Sequence, residues 1–558
     1  MENDFFIFGE EKFYNKIEDI LAFDFKELDL AFEKIEKLKE KYFLVGYMSY
    51  QTKDYFLNKN KKLNKKASSP LLFFRAFKNK KIFKEQKAPK RNLFIKENIT
   101  KEEYLLNIKK IKEKIKMGTT YEVNYTFSND VFSDISGFDL FLSLLQEQKT
   151  PYCAYVKNDF DEILSFSPEL FFEIKNNIIK TKPMKGTIKR EGKDKEEIEF
   201  LKNDIKNKAE NTMIVDLIRN DLSKIEASFD IKTTKLFEIE THKTLHQMTS
   251  SIEAKLKNIN LKDILSCLFP CGSITGAPKI STIEVIDEIE NYKRNVYCGL
   301  IGVVFKDEAK FSVPIRILEK NLLKEEKKYL FSQGGAIVWR SKAEEEYEEC
   351  KTKKLFLGNS IDFDLIETVL IQNDTPQRYF EHLKRLKNSA KVFGFKYNES
   401  LEKLHFENNK IARILLSKNG DFKIEYRDFI KDEINNIALS KEKLSSNNSF
   451  LYHKTTFKPW YKEAYRKIKN KEVFDILFLN EKEELTEGAR SNIFILKDGV
   501  LYTPKSSSGL LKGIYRKKII KEKNAVEKIL YLEDLFSAQK IYMTNSIRGI
   551  REVGLEQF

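Results

Sequence analysis

A chain of 558 residues is too long for one core, so about two to four domains are expected. Hydrophobic residues make up 41% and aromatics 13%, ample for packed domains and inconsistent with extensive disorder. The net charge of +15 is carried by lysines scattered among Glu, Asn and Ile, with no Arg-rich block or basic tail, so nucleic acid is not an expected partner. The five cysteines are odd in number and form no Cys-x-x-Cys pair, which fits a reducing compartment without disulfides or zinc. The acidic start MENDFFIFGEEKF is unlike a leader, and no run approaches about 18 apolar residues, so a cytoplasmic protein without a membrane partner is expected.

Along the chain, FLVGYMSY and LLFFRAF read as strands separated by a lysine-rich loop at Lys59 to Lys66. Thr100 and Glu103 form a capping box that opens an amphipathic helix, Gly118 stops it, and TTYEVNYTF alternates as a strand. SPELFFEIKNNIIKTKPMKGT then reads as a β-hairpin turning at Asn176 and Asn177. A turn centred at residue 177 places Glu169 within about one residue of opposite Lys185. Alone, the pair reads as a cross-strand ion pair on a wet face; the alternative is an acid beside a nucleophile.

A helical pattern follows from Lys193 to about Leu222, with Glu210, Asp216, Asn220 and Asp221 as oxygen donors. THKTLHQMTSSIEAKL reads as a strand carrying His242 and His246. FPCGSITGAPK contains Gly272, Ser273, Thr275 and Gly276, a small-residue turn suited to an anion, before a helix beginning near Lys279. Strands are expected at YCGLIGVVF, at FSVPIRIL with Arg316, and at YLFSQGGAIVW with Gly334 and Gly335, where a ligand can approach the backbone. The helix KAEEEYEECKTKK puts Glu346, Glu349 and Lys353 on one face.

After a linker at Leu357 to Ser360, FDLIETVLIQN reads as a strand and turn, and RYFEHLKRLKNSAKVFGF as a helix with Arg378, His382 and Arg385 along one side. DILFLNEKEELTEGARSNIFILKDGVLYTP contains two hairpins, turning at Asn480 to Glu484 and at Lys497 to Gly499.

SPELFF, PMKGT, ENTMIVDLIRNDL, GSITGAPK, PIRIL, SQGGAIV and the final E-x-x-E-x-x-x-K helix occur in the order seen in chorismate-utilising enzymes, which residues 1–356 resemble. The resemblance implies an α/β sandwich with large antiparallel sheets. Lys185, where anthranilate and isochorismate synthases usually have Ala, resembles the aminodeoxychorismate synthase component I subclass. It implies that Lys185 attacks chorismate at C2 while Glu169 protonates the departing C4 hydroxyl, and that ammonia then enters at C4. Glu210, Glu349 and the helper Glu346 are implied Mg²⁺ ligands. His246, Ser273, Thr275, Arg316, Gly334, Gly335 and Lys353 are implied substrate contacts. The attack needs a neutral lysine, which a neighbouring carboxylate opposes.

TEGARSNIF, GLLKGIYR and TNSIRGI give residues 361–558 a resemblance to class IV pyridoxal-phosphate enzymes, an α+β fold. It implies Lys454 as the Schiff-base lysine, Glu487 as the partner of the pyridine nitrogen, and Arg385, Ile514 and Thr544 as the phosphate cradle. This half is short for that family, which leaves the pocket around Thr368 open. Together the resemblances imply an α+β, multi-domain, bifunctional enzyme. It would aminate chorismate to 4-amino-4-deoxychorismate and eliminate pyruvate to give p-aminobenzoate. Ammonia would come from solution or from a separate glutamine amidotransferase subunit, and a homodimer through the second half is expected. The rival reading joins an anthranilate or isochorismate synthase to an aminotransferase; a basic nucleic-acid-binding protein is a remoter alternative.

Overall fold

Asn176 and Asn177 adopt φ of 53° and 58° in the computed structural model, the left-handed pair that a tight hairpin turn demands. The model describes residues 4–57, 66–190, 192–241, 245–257, 260–324 and 327–556, so most of the lysine-rich loop and His242 lie outside the described residues. Leu170–Lys175 and Ile178–Lys182 pair antiparallel with Ile179 opposite Ile174, one residue from the expected register. The register then slips at Lys182, and beyond Pro183, which has no N–H to continue the ladder, the pairing with Leu170–Lys175 ends. Leu245–Leu256, which already pairs with the other edge of Ile178–Lys182, continues alongside Met184–Lys189, so Lys185 is not a cross-strand neighbour of Glu169.

This hairpin belongs to an antiparallel sheet system of eighteen strands that runs from Phe5 to Val338. Near one end of the strand order lies Glu122–Ser133, bonded along Tyr329–Val338 on one side and to Leu93–Glu97 and Gly276–Ala277 on the other. Helices cover the sheet where their apolar stripes demand it. Phe25–Leu38 and Leu261–Leu268 bury Leu28, Phe32, Ile264 and Leu265 in the largest core. Lys101–Lys116, with the expected Thr100 and Glu103 capping box, joins Ala343–Lys353 over Tyr104, Ile108 and Tyr347.

Three expected elements differ. The helical pattern from Lys193 is two helices, Asp194–Asn203 and Ile205–Ser223, broken at Asp204, whose ψ of 105° is extended. THKTLHQMTSSIEAKL is not one strand: Thr241 ends Ser228–Thr241, and His246 lies in its antiparallel partner Leu245–Leu256. FSVPIRIL divides into Glu308–Ser312 and Ile317–Asn321, leaving Arg316 just outside either strand.

In the second half, Tyr379–Phe393 packs on a four-stranded sheet that includes Leu365–Gln372 and Lys410–Leu416. An eight-stranded sheet follows, in which Asn436–Leu439 runs parallel to both Asp475–Leu479 and Gly549–Leu555. Both expected hairpins form, the second turning at Asp498 and Gly499 with φ of 51° and 75°. The halves share a core: Phe94 and Phe132 of the first pack with Phe363, Phe393, Phe395 and Phe450 of the second. Ring centroids lie 4.9 Å apart for Phe94 and Phe363 and 4.7 Å for Phe132 and Phe393. The strand Leu93–Glu97 also accepts from Ile361 N–H through the Leu93 carbonyl.

Candidate active sites

Lys185 reaches Glu122 rather than Glu169. Its Nζ lies 2.8 Å from Glu122 Oε1, and the Glu122 side chain is wholly buried, with Oε2 meeting no hydrogen-bond partner. Burial opposes the charge on Lys185, but Glu122 and Glu210 outweigh it and Glu169 adds to them, so the amine is held above its ordinary value. The resting lysine is an ammonium ion.

Glu169 faces Ser273, whose hydroxyl donates to Oε1 at 2.6 Å. Burial pushes its carboxyl up to about 7, against that hydrogen bond and the Lys185 charge. It therefore holds a proton through much of the neutral range. The anion turn thus serves the acid directly, but its other hydroxyl does not face outward. Thr275 is fully buried and donates to the carbonyls of Cys271 and Gly272 at 3.0 and 3.2 Å, bracing the turn from within.

Arg316 is tied by its backbone to the strand that precedes Glu169: its carbonyl accepts from Phe166 N–H, while Val313 N–H donates to the Glu169 carbonyl. Its guanidinium is buried, Nη1 meets no hydrogen-bond partner, and burial pulls it down to about 10. A desolvated cation without an anion is costly, and a bound carboxylate is what would offset it.

The other expected contacts are distributed around the Tyr329–Val338 strand. Lys353 Nζ donates to the Gly334 carbonyl at 2.6 Å and pairs with Glu349 at 2.8 Å. A Cβ on Gly335 would come 3.5 Å from Glu346 Oε2 and 3.6 Å from Lys353 Nζ, so the glycine keeps that space open. His246 is buried; Nδ1 lies 2.9 Å from Thr241 Oγ1, and Nε2 faces Asp194 and Glu197 at 3.4 and 3.2 Å. The three expected Mg²⁺ carboxylates are not gathered in advance. Among the described residues, the one group of three candidate ligands with donor atoms within 4.8 Å of one another is Asp194, Glu197 and His246. Arg190 already grips Asp194 there at 2.7 and 2.6 Å. Glu210, Glu346 and Glu349 still fit a hard cation by donor chemistry, since all offer carboxylate oxygen, and Glu349 would exchange Lys353 for the metal.

In the second half, Lys454 Nζ donates to Thr368 Oγ1 at 3.0 Å. Burial pulls its amine down to about 7; Glu367 opposes this, and Arg385 and Lys458 reinforce it. Glu487 is buried and accepts from the Tyr461 hydroxyl at 3.2 Å and the Asn492 amide at 2.9 Å. Burial raises its carboxyl above the ordinary range. Ile514 opens the helix Ile514–Glu522, and Thr544 is buried with its hydroxyl toward the Asn492 carbonyl at 3.4 Å. A Cβ on Gly513 would lie 2.0 Å from Asn492 Oδ1, so a larger residue at the helix entrance would displace the Asn492 amide.

Arg385 is already engaged. Its Nε and Nη2 donate to the two oxygens of Glu367 at 2.8 and 2.7 Å, and His382 Nδ1 lies 2.6 Å from the same carboxylate. Burial works against that charge, but Arg385 and His382 hold Glu367 far below the carboxylate range. A phosphate would share Arg385 with Glu367. The donor set nevertheless fits pyridoxal phosphate: a buried amine of lowered proton affinity, a carboxyl for a ring nitrogen, and a glycine-led helix terminus for an anion.

Residues 10–357 match the family described as chorismate binding enzyme, and residues 364–555 match amino-transferase class IV. Aminodeoxychorismate synthase component 1 of Escherichia coli is 36% identical over 263 residues, covering 45% of this chain and 56% of that protein. Anthranilate synthase component 1 of Acetivibrio thermocellus is 32% identical over 279 residues, covering 49% and 56%. The chain thus spans about half the length of these curated relatives. In fold, it resembles the crystal structure of anthranilate synthase component I from Streptococcus pneumoniae, with a TM-score of 0.52 at 21% identity over 64% of this chain and 93% of that one.

Proposed function

Because this chain belongs to the chorismate binding enzyme family and carries a class IV aminotransferase unit behind that domain, we propose that it makes p-aminobenzoate in two consecutive reactions. The first, in residues 1–356, aminates chorismate to 4-amino-4-deoxychorismate; the second, in residues 361–558, removes pyruvate. The observation that carries the reading is the buried Arg316 guanidinium with its unpartnered Nη1. It suits a dicarboxylate substrate placed between a lysine nucleophile and a carboxylic acid.

Glu169 enters the reaction protonated, because burial holds its carboxyl near 7, and gives that proton to the departing C4 hydroxyl. Ser273 fixes the acid in place. Lys185 forms the transient bond at C2 and is displaced when ammonia enters at C4. Arg316 and the backbone around Gly334 bind the substrate carboxylates, with His246 and Lys353 completing the pocket. Mg²⁺ held by Glu210, Glu346 and Glu349 would supply Lewis-acid charge for the ring carboxylate.

Pyridoxal phosphate supplies an electron sink when bound in the second half. Lys454, with its amine near 7, is able to take the C4 proton as a neutral base at physiological pH. Glu487 would hold a proton at the ring nitrogen, while Arg385, Ile514 and Thr544 bind the phosphate. Four of the five cysteines are buried, and burial raises their thiols, opposite to what a glutaminase nucleophile requires. We take the ammonia to come from solution or from a separate amidotransferase.

The test is to incubate the purified protein with chorismate, Mg²⁺, pyridoxal phosphate and ammonium, then measure p-aminobenzoate and pyruvate. Equal amounts of the two are expected. Accumulation of anthranilate or isochorismate instead would refute the assignment.

A further inference from the structure

We propose that Glu122 is the base that takes a proton from Lys185 before the attack on C2 and returns it when the lysine leaves, a role that rests on the reading of Lys185 as nucleophile. Lys185 cannot act while it is an ammonium ion, and an acceptor must lie at its nitrogen. Glu122 Oε1 is there at 2.8 Å, and Oε2 is buried without a hydrogen-bond partner.

The Glu122 backbone is held on both sides, which fixes where its side chain starts. Glu122 pairs with Val338 across one edge of its strand and with Ala277 across the other. The loop at Gly276 passes so close that a Cβ there would lie 1.9 Å from the Glu122 carbonyl. Thr120 Oγ1 donates to that same carbonyl at 3.1 Å. Such a fixed pair, with only 11% of the Lys185 side chain and none of the Glu122 side chain exposed, is shielded from solvent exchange. The neighbouring acid is committed elsewhere: Glu169 receives the Ser273 hydrogen bond and must donate, not accept, in the same step.

The protons balance. The Lys185 ammonium passes one to Glu122; the freed electron pair forms the N–C2 bond as C4–O breaks and Glu169 releases the hydroxyl as water. Ammonia then bonds to C4 and gives its extra proton to Glu169, the N–C2 pair returns to Lys185, and Glu122 gives the first proton back. One chorismate and one ammonia become one aminated product and one water.

A counterion and a base predict opposite results. If Glu122 only balances charge, Glu122→Gln eases loss of the Lys185 proton, and amination at neutral pH stays the same or rises. If it is the base, Glu122→Gln lowers kcat by about 10²- to 10⁴-fold. The chorismate dissociation constant then stays within about threefold, and the Lys185–substrate adduct seen by mass spectrometry without ammonia is lost. Should Glu122→Gln fail to fold, Glu122→Asp decides: with the carboxylate drawn back by one methylene, kcat falls about tenfold or more at unchanged chorismate affinity. Wild-type amination together with undiminished kcat in a folded Glu122→Gln or Glu122→Asp variant overturns the role of Glu122 alone. A wild-type protein that forms neither adduct nor aminated product overturns the functional reading itself.

Discussion

Replacing Arg316 with methionine should stabilise the protein while abolishing chorismate binding. Burial lowers the guanidinium from 12.5 to about 10, a shift worth roughly 3 kcal/mol at 1.36 kcal/mol per unit. The sign follows from the direction: a base whose affinity for its proton falls on folding makes the charged folded state less favourable at every pH below about 10. Methionine keeps much of the volume and removes the charge, so after allowing for residual hydration and lost packing the gain is about 1–3 kcal/mol. In a domain of this size that amounts to a rise in Tm of about 1–4 °C. Scanning calorimetry at pH 7 with and without chorismate checks both halves. Wild type should gain stability from the ligand by mass action, whereas Arg316→Met should start higher and gain nothing. A variant that melts lower than wild type yet is still raised by chorismate would refute the argument, because the arginine would then be a satisfied structural cation.

Ser273→Ala removes the hydrogen bond that holds Glu169 down, so the carboxyl moves further above 7. The limb of the amination rate that falls with rising pH, as the acid form is lost, should move to higher pH in the kcat profile. Glu367→Ala leaves the buried His382 and the half-buried Arg385 without their shared carboxylate. It should cost about 3–5 kcal/mol, read as a lower denaturation midpoint for the second half. In the protein stripped of cofactor, acylation of Lys454 by an amine-selective reagent should rise through about pH 7, rather than near the ordinary lysine range, as peptide mapping would show.

The hairpin was legible because Asn176 and Asn177 accept left-handed conformations and the apolar runs flank them. The contact it was expected to create was not, because Pro183 ends the ladder with Leu170–Lys175 and leaves Lys185 in a strand paired with Leu245–Leu256. Glu122 lies 63 positions from its partner, and nothing in TTYEVNYTF marks it beyond a carboxylate in an otherwise uncharged strand. The motif order placed Arg316 among the functional residues, but only the fold shows that its Nη1 is buried without a hydrogen-bond partner among the described residues. In the second half the Lys454 and Glu487 positions were readable from motifs. The Glu367 grip on Arg385 was not, since it joins a strand and a helix whose side chains meet only after packing.

The aromatic cluster of Phe94, Phe132, Phe363, Phe393, Phe395 and Phe450 alters what the linker at Leu357 to Ser360 means. Flexible tethers join bodies that drift, and cutting one sets them loose. Here each half supplies part of a single oily interior, so a break at Gly358 would leave two pieces still clasped through their phenylalanines. Either piece made alone would carry that face bare to water, inviting self-association. The covalent continuity of the chain thus guarantees equal numbers of the two halves, while the shared interior fixes their mutual orientation.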